Sequence, residues 1–153
     1  MEQLLFRGKI IPYEREQSMN ILFFLTPKSE VHYLETGFSI RQAAEKLAHY
    51  NYTALPLLDN LGRYIGTVSD GDLFWYFKDH PEMTYRDSEK EPVVLVPRKH
   101  PNKAIRYDAK MEDLLTLAML QNFVPVLDDE NVFMGIVTRQ AIIRYFVEKN
   151  PNQ

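Results

Sequence analysis

No cysteine occurs among the 153 residues. That excludes disulfides, thiolate nucleophiles and sulfur-based zinc sites, and it suits a reducing compartment. Lys and Arg number 18 against 21 Asp and Glu, so no cationic surplus exists to neutralise a nucleic-acid backbone. The longest apolar run near the start, residues 21–25, is too short to span a bilayer or to serve as a signal core. Cytoplasmic residence, with neither nucleic acid nor membrane as partner, is the resulting expectation. Glycine is sparse and dispersed, six in all, and Gly8-Lys9 is followed by Ile10. There is thus no P-loop and no glycine-rich dinucleotide fingerprint. His32, His49, His80 and His100 lie far apart, with no helical pair at metal-ligand spacing. No catalytic residue, metal or resident cofactor is expected, and hence no enzyme. The remainder, 45% apolar, 12% aromatic and 25% charged, is the composition of a folded globular chain, long enough to need no covalent staple.

An internal repeat organises that remainder. Shifted by 69 positions, residues 55–77 (LPLLDNLGRYIGTVSDGDLFWYF) overlay residues 124–146 (VPVLDDENVFMGIVTRQAIIRYF). Seven of the 23 pairs are identical: Pro56/Pro125, Leu58/Leu127, Asp59/Asp128, Gly66/Gly135, Val68/Val137, Tyr76/Tyr145 and Phe77/Phe146. Composition alone yields about one or two identities in such a window. The chain contains a duplicated unit.

Upstream of each copy, apolar residues recur at helical spacing: Ile40, Ala43, Ala44, Leu47 and Ala48, then Met111, Leu114, Leu115, Ala118 and Met119. Each set lies on one helical face, which must pack against something. Ser39 followed by Gln42 predicts a capping box, and Asp108, Glu112 and Asp113 give the second helix an acid-rich start. The first copy has two more residues between helix and proline, so the cleft beside it should differ in shape. Residues 59–62 and 128–131 read as hairpin turns. The strands that follow each hold a glycine, which marks a bulge or a close approach by a backbone or ligand. Aromatic-rich helices, residues 73–77 and 142–147, close the units, while residues 31–34 and 104–107 are predicted as lone leading strands. Each unit therefore reads β-α-β-β-α, an α+β fold with two repeats packed as a pseudo-two-fold pair. The predicted organisation is an N-terminal extension over residues 1–18, repeat one over 19–78, a linker over 79–92 and repeat two over 93–150.

The junction between second strand and closing helix holds the candidate chemistry. It reads GTVSDGDL (66–73) in the first copy and GIVTRQAI (135–142) in the second. A hydroxyl residue, Ser69 or Thr138, ends each strand where free helix amides attract anions. Asp72 either accepts from both hydroxyls of a ribose or simply completes a capping box with Ser69. Asp70 stands where the second copy has Arg139, whose guanidinium suits a phosphate. The first cleft is thus expected to read ribose and base while Arg139 reads phosphate, and if both face one cavity a dinucleotide or a polyphosphate nucleotide fits better than adenosine. The basic cluster Arg98, Lys99, His100, Lys103 and Arg106 is either a solvated edge or a phosphate site. The run Phe74, Trp75, Tyr76, Phe77 is too long to bury on one helical face, and its exposed remainder suits a dimer interface.

On the helix, the segments YTALPLLD and GTVSDGDL, and their second-copy counterparts FVPVLDD and GIVTR, the chain resembles a tandem pair of CBS domains over about residues 20–149. It is also similar to small stand-alone CBS-pair proteins of Gram-positive bacteria that bind cyclic di-AMP. The resemblance implies a pair that commonly dimerises into a flat disc and binds adenine nucleotides between repeats. Carried over residue by residue, it assigns Ser69 and Asp72 to the hydroxyl-and-ribose pair and Thr138 to the hydroxyl of the second copy. Ala141 replaces the second aspartate. Thr53, Ala54 and Pro56 line the base pocket, with Phe123, Val124 and Pro125 opposite, and the backbone of Val31, His32 and Tyr33 contacts the base. The implied function is a regulatory sensor, homodimeric, that binds AMP, ADP or ATP, or cyclic di-AMP, and signals to a protein partner. The alternative is a ligand-free interaction module.

Overall fold

The computed structural model describes residues 19–149 and the backbone of two strands ahead of them, β1 (Gln3–Phe6) and β2 (Lys9–Pro12), which pair antiparallel. The remainder of the predicted extension, and residue 150 at the end of repeat two, lie outside the described residues. Each repeat then follows the same course. In the first, β3 (Thr26–Pro27) and β4 (Leu34–Glu35) precede α1 (Ile40–Tyr50), β5 (Ala54–Leu58), β6 (Tyr64–Ser69) and α2 (Asp70–Asp79). In the second, β7 (Ile105–Arg106) precedes α3 (Met111–Leu120), β8 (Phe123–Leu127), β9 (Phe133–Thr138) and α4 (Arg139–Lys149). The leading strands are shorter than the apolar runs predict: residues 31–33 are irregular, and only Leu34 and Glu35 pair with β5.

Local chemistry accounts for the boundaries. Ser39 Oγ accepts from Gln42 N at 3.1 Å while Ser39 N donates to Gln42 Oε1 at 2.8 Å, the predicted capping box of α1. The helix then buries Ile40, Ala43 and Leu47, side chains of which the larger contribute about 1.5–3 kcal/mol each by leaving water. For α3, Asp108 sits outside the helix and binds the Arg106 guanidinium, leaving Glu112 and Asp113 as the acids of the first turn. Both hairpin turns hang on an aspartate: Asp59 Oδ1 accepts from Leu61 N and Arg63 N, and Asp128 Oδ1 from Glu130 N and Val132 N.

Besides the β1-β2 pair, the repeats form two sheets, β4-β5-β6 and β3-β9-β8-β7, each with a parallel pair followed by an antiparallel hairpin. The repeats interleave. Ile21 and Phe24 are buried against Leu114, Val124, Val126 and Val137 of the second repeat, whereas Val93 and Val96 complete the first repeat's core with Leu34, Ile40, Leu57 and Val68. The hairpin tips also meet, since Phe133 N donates to Gly62 O at 2.9 Å. Both expectations for the strand glycines are met at Gly135. The ladder shifts register between Val126 and Leu127, and a Cβ at Gly135 would run into the carbonyl oxygen of Thr26 as β3 crosses β9. Gly135→Ala should therefore detach β3 and cost about 2–3 kcal/mol, read as a lower urea midpoint with an unchanged slope. Wild-type stability in that variant would show that β3 yields freely.

Candidate functional site

A cleft of about 880 Å³ opens where the two repeats meet. One wall is the irregular segment around β3 and its sequel, contributing Thr26, Glu30, Val31 and His32. The start of β5 supplies a second wall, with Tyr52, Thr53, Ala54, Leu55 and Pro56. The third is the end of β9 and one face of α4: Ile136, Thr138, Arg139, Gln140, Ile143, Arg144 and Val147. Asn102, Asn122 and Phe123 close the floor. The lining thus combines an apolar slot with an end that is hydroxyl-bearing and cationic.

The α4 end is held from several sides. Thr138 Oγ1 accepts from Ala141 N at 3.0 Å, and Arg139 N donates to Asn122 O at 2.9 Å. The Arg139 side chain donates through Nε to Ala118 O at 2.7 Å and through Nη2 to Met119 O at 3.4 Å. These carbonyls end α3, which lacks a left-handed cap; Gln121 at its end is extended. In the first repeat the matching carbonyls of α1, Leu47 and Ala48, are taken by Tyr52 N and Asn51 N. Arg139 thus does for α3 what a Schellman turn does for α1, and two of its five N–H groups are used in doing so.

The floor is tied across the repeats. The Tyr64 hydroxyl donates to Asn102 O at 2.6 Å and shares a hydrogen bond of 2.7 Å with Thr67 Oγ1, while Asn102 Nδ2 donates to Phe123 O at 3.2 Å. Burial pushes the Tyr64 phenol up to about 12, so it remains a donor at ordinary pH.

Of the positions singled out by sequence, Val31, His32, Thr53, Ala54, Pro56, Phe123, Thr138 and Arg139 come together in the cleft. Six do not line it. Tyr33 turns away: its carbonyl accepts from Lys46 Nζ, and its ring lies beneath the ammonium groups of Lys28 and Lys46. Val124 and Pro125 are buried in β8. Ser69, Asp70 and Asp72 belong to the other junction, so the expected ribose pair does not share the cavity that holds the base-pocket residues and Arg139. Ser69 and Asp72 form a capping box, with Ser69 Oγ accepting from Asp72 N and Asp72 Oδ2 from Ser69 N, both at 3.0 Å. Asp72 is 5% exposed, and its Oδ1 accepts from Lys99 N at 3.1 Å. Both carboxylate oxygens are engaged by the chain's own backbone. Asp70 N repeats the Arg139 bond, donating to Thr53 O at 2.8 Å.

The basic cluster disperses. Arg106 pairs with Asp108 and Asp129, the Lys99 ammonium sits 4.6 Å from the Trp75 ring centroid, and Arg98 packs over Gly66. None of the five lines the cleft. Of the cleft residues not singled out by sequence, Tyr52, Leu55 and Ile136 lie in segments already noted for their motifs, and Thr26 precedes them without a local signal. Gln140, Ile143, Arg144 and Val147 recur at helical spacing behind Arg139 and were legible as one face of α4. Glu30, Asn102 and Asn122 gave no local signal.

A duplicated β-α-β-β-α unit, interleaved with its copy around a cleft of this size, defines a tandem-repeat α+β module. The CBS domain model matches residues 24–79 and 92–148, and the chain belongs to the CBS-domain family. A crystal structure of CbpB in complex with c-di-AMP superposes with a TM-score of 0.79 at 21% identity, covering 89% of each chain. CbpB from Streptococcus agalactiae gives 0.77 at 22% identity, over 95% of this chain and 94% of that one. CBSX2 in complex with AMP gives 0.67 at 25% identity, over 86% and 98%. The full-length chloroplastic CBSX2 of Arabidopsis thaliana is 25% identical over 144 residues, and the chain spans 60% of its length. Among the described residues no helix is long and apolar enough to cross a membrane.

Proposed function

We propose that this chain is a non-enzymatic, cytoplasmic regulatory sensor that binds an adenine nucleotide in the inter-repeat cleft and alters a surface read by a protein partner. AMP, ADP, ATP and cyclic di-AMP are the candidates. One observation carries the proposal: the 880 Å³ cleft offers an apolar slot at Ala54, Pro56 and Ile136 that leads to Thr138 and Arg139 at the start of a helix, with Arg144 further along it. A flat base fits the slot, and an anionic phosphate fits the helix start and the guanidinium. The likeness to proteins solved with AMP and with c-di-AMP supports the adenine base. Regulation further requires the ligand to prefer one arrangement of the repeats over another.

A thermal-shift and calorimetric panel with the four nucleotides tests this. A true ligand at a hundredfold excess over its Kd stabilises by about 2.7 kcal/mol, which for a chain of this size is a rise of about 5–10 °C. No response to any of the four would reject the proposal. It would favour the second reading, a ligand-free interaction and homodimerisation module, for which the exposure of Phe74 (61%) and of Met119 and Leu120 (79% each) speaks.

A further inference from the structure

We propose that Asn102, on the floor of the cleft, reads the base: its side-chain amide, locked in one orientation by a network that spans both repeats, accepts from the 6-amino group of a purine and turns away a 6-oxo purine. This rests on the cleft being an adenine-nucleotide site and names the residue that sets its base specificity.

Asn102 is half-buried and lines the cleft. Its Nδ2 donates to Phe123 O at 3.2 Å, a carbonyl that also accepts from Gln121 Nε2 at 3.0 Å. The Gln121 amide in turn grips the next residue along, donating to Lys103 O and accepting from Lys103 N, both at 2.9 Å. From the first repeat, the Tyr64 hydroxyl donates to Asn102 O at 2.6 Å. With its proton spent there, the same hydroxyl accepts from Thr67 Oγ1 at 2.7 Å. Asn102 Oδ1 is left without a partner among the described residues, and the protein does not seal it off. Turning the amide over would set that oxygen against Phe123 O, acceptor facing acceptor.

Folding alone does not call for this arrangement. Across the 69-residue shift, Tyr64 and Thr67 correspond to Phe133 and Ile136, which pack without hydroxyls. The Tyr64 and Phe133 rings stack on each other at 6.4 Å, a contact that needs no phenol. By the register of β4 and β7, Asn102 corresponds to Val31, which lines the cleft with no polar side-chain group. The hydroxyl pair and the amide thus occur in one of two matching sets, and there they bind each other. A base seated between Ala54, Pro56 and Ile136 has this floor at its edge. Adenine presents its N6 amino donor beside the acceptor N1, which suits a free amide oxygen next to the remaining Nδ2–H. Hypoxanthine and guanine invert both, with the acceptor O6 beside an N1–H. An amide free to rotate would serve either pattern. One held by Phe123 O meets O6 with Oδ1, leaving two acceptors opposed.

Calorimetry of the full chain with AMP and IMP, and with cyclic di-AMP and cyclic di-IMP, tests this, since the members of each pair differ only on that edge of the base. The wild type should bind the adenine member about 5- to 150-fold more tightly, the discrimination that one bidentate amide–base pair provides. Asn102→Ala should bring that ratio to within about twofold by weakening the adenine ligand, while the inosine ligand keeps its affinity. Phe123 O retains Gln121 in this variant, so no carbonyl is stranded. Tyr64→Phe, which keeps the ring as Phe133 does, should lower the ratio to between those of the alanine variant and the wild type. A purely structural role would instead weaken both members of a pair alike. Equal losses within a pair, an unmoved ratio in either variant, or no discrimination by the wild type would overturn the assignment of Asn102 while leaving the nucleotide site standing. Failure of the wild type to bind any of the four would remove both.

Discussion

Replacing Asp72 with alanine should lower stability by about 2–4 kcal/mol and leave nucleotide affinity unchanged. The carboxylate is 5% exposed and accepts from two backbone amides: Ser69 N, which opens α2, and Lys99 N, 27 residues further along. Loss of a helix cap costs about 1 kcal/mol, and a hydrogen bond to a charged group contributes about 1.5–3 kcal/mol. Alanine removes both acceptors and strands two amides. Asparagine keeps a single acceptor oxygen and should fall between alanine and wild type. The melting point of the alanine variant should drop by about 5–15 °C. Trp75, the only tryptophan, lies under the Lys99 ammonium at 4.6 Å, so its fluorescence should report the release of that segment. An unchanged melting point with abolished nucleotide binding would return Asp72 to the role of ribose ligand.

The same aspartate marks where the sequence could and could not be read. Ser69-x-x-Asp72 is compatible with a cap and with a ribose clamp, because each needs a short acceptor three residues beyond a hydroxyl. What separates them is the amide of Lys99, distant in sequence and invisible to any local pattern. By contrast, the repeat, the stripe from Ile40 to Ala48, the aspartate-held turns and the glycine bulge at Gly135 follow from periodicity and turn chemistry that act within a few residues. The interleaving does not. Nothing in the run around Ile21 and Phe24 tells it to pack on Leu114 and Val137 rather than on its own repeat, since hydrophobic burial is not directional. The cleft was half legible for a related reason. Pro56 carries a repeated motif and Thr53 and Ala54 sit in the segment that the resemblance matches, but Asn102 is held by the Tyr64 hydroxyl on the other repeat and by Phe123 O, partners distant in sequence.

Replacing Arg139 with alanine should weaken AMP or cyclic di-AMP by about 10- to 150-fold while adenosine changes by less than about twofold. The guanidinium borders the cleft beside Thr138, pinned by the carbonyls of Ala118 and Met119 through Nε and Nη2. A planar fork held in this way keeps three N–H groups for an incoming anion and loses little freedom on binding it. The range follows from about 1.5–3 kcal/mol for a hydrogen bond to a charged group. Adenosine, with no phosphate, has nothing to lose. Lysine should rescue poorly, because one ammonium cannot cap two carbonyls in the same plane and still present a fork. The alanine variant should also lose about 1 kcal/mol of stability as the end of α3 loses its donors, visible in the melting point without ligand. Calorimetry on both ligands separates the two effects. If adenosine and AMP weakened in equal measure, Arg139 would act only by holding α3 in place, and the phosphate would have to be met by Arg144 or by the amides that open α4.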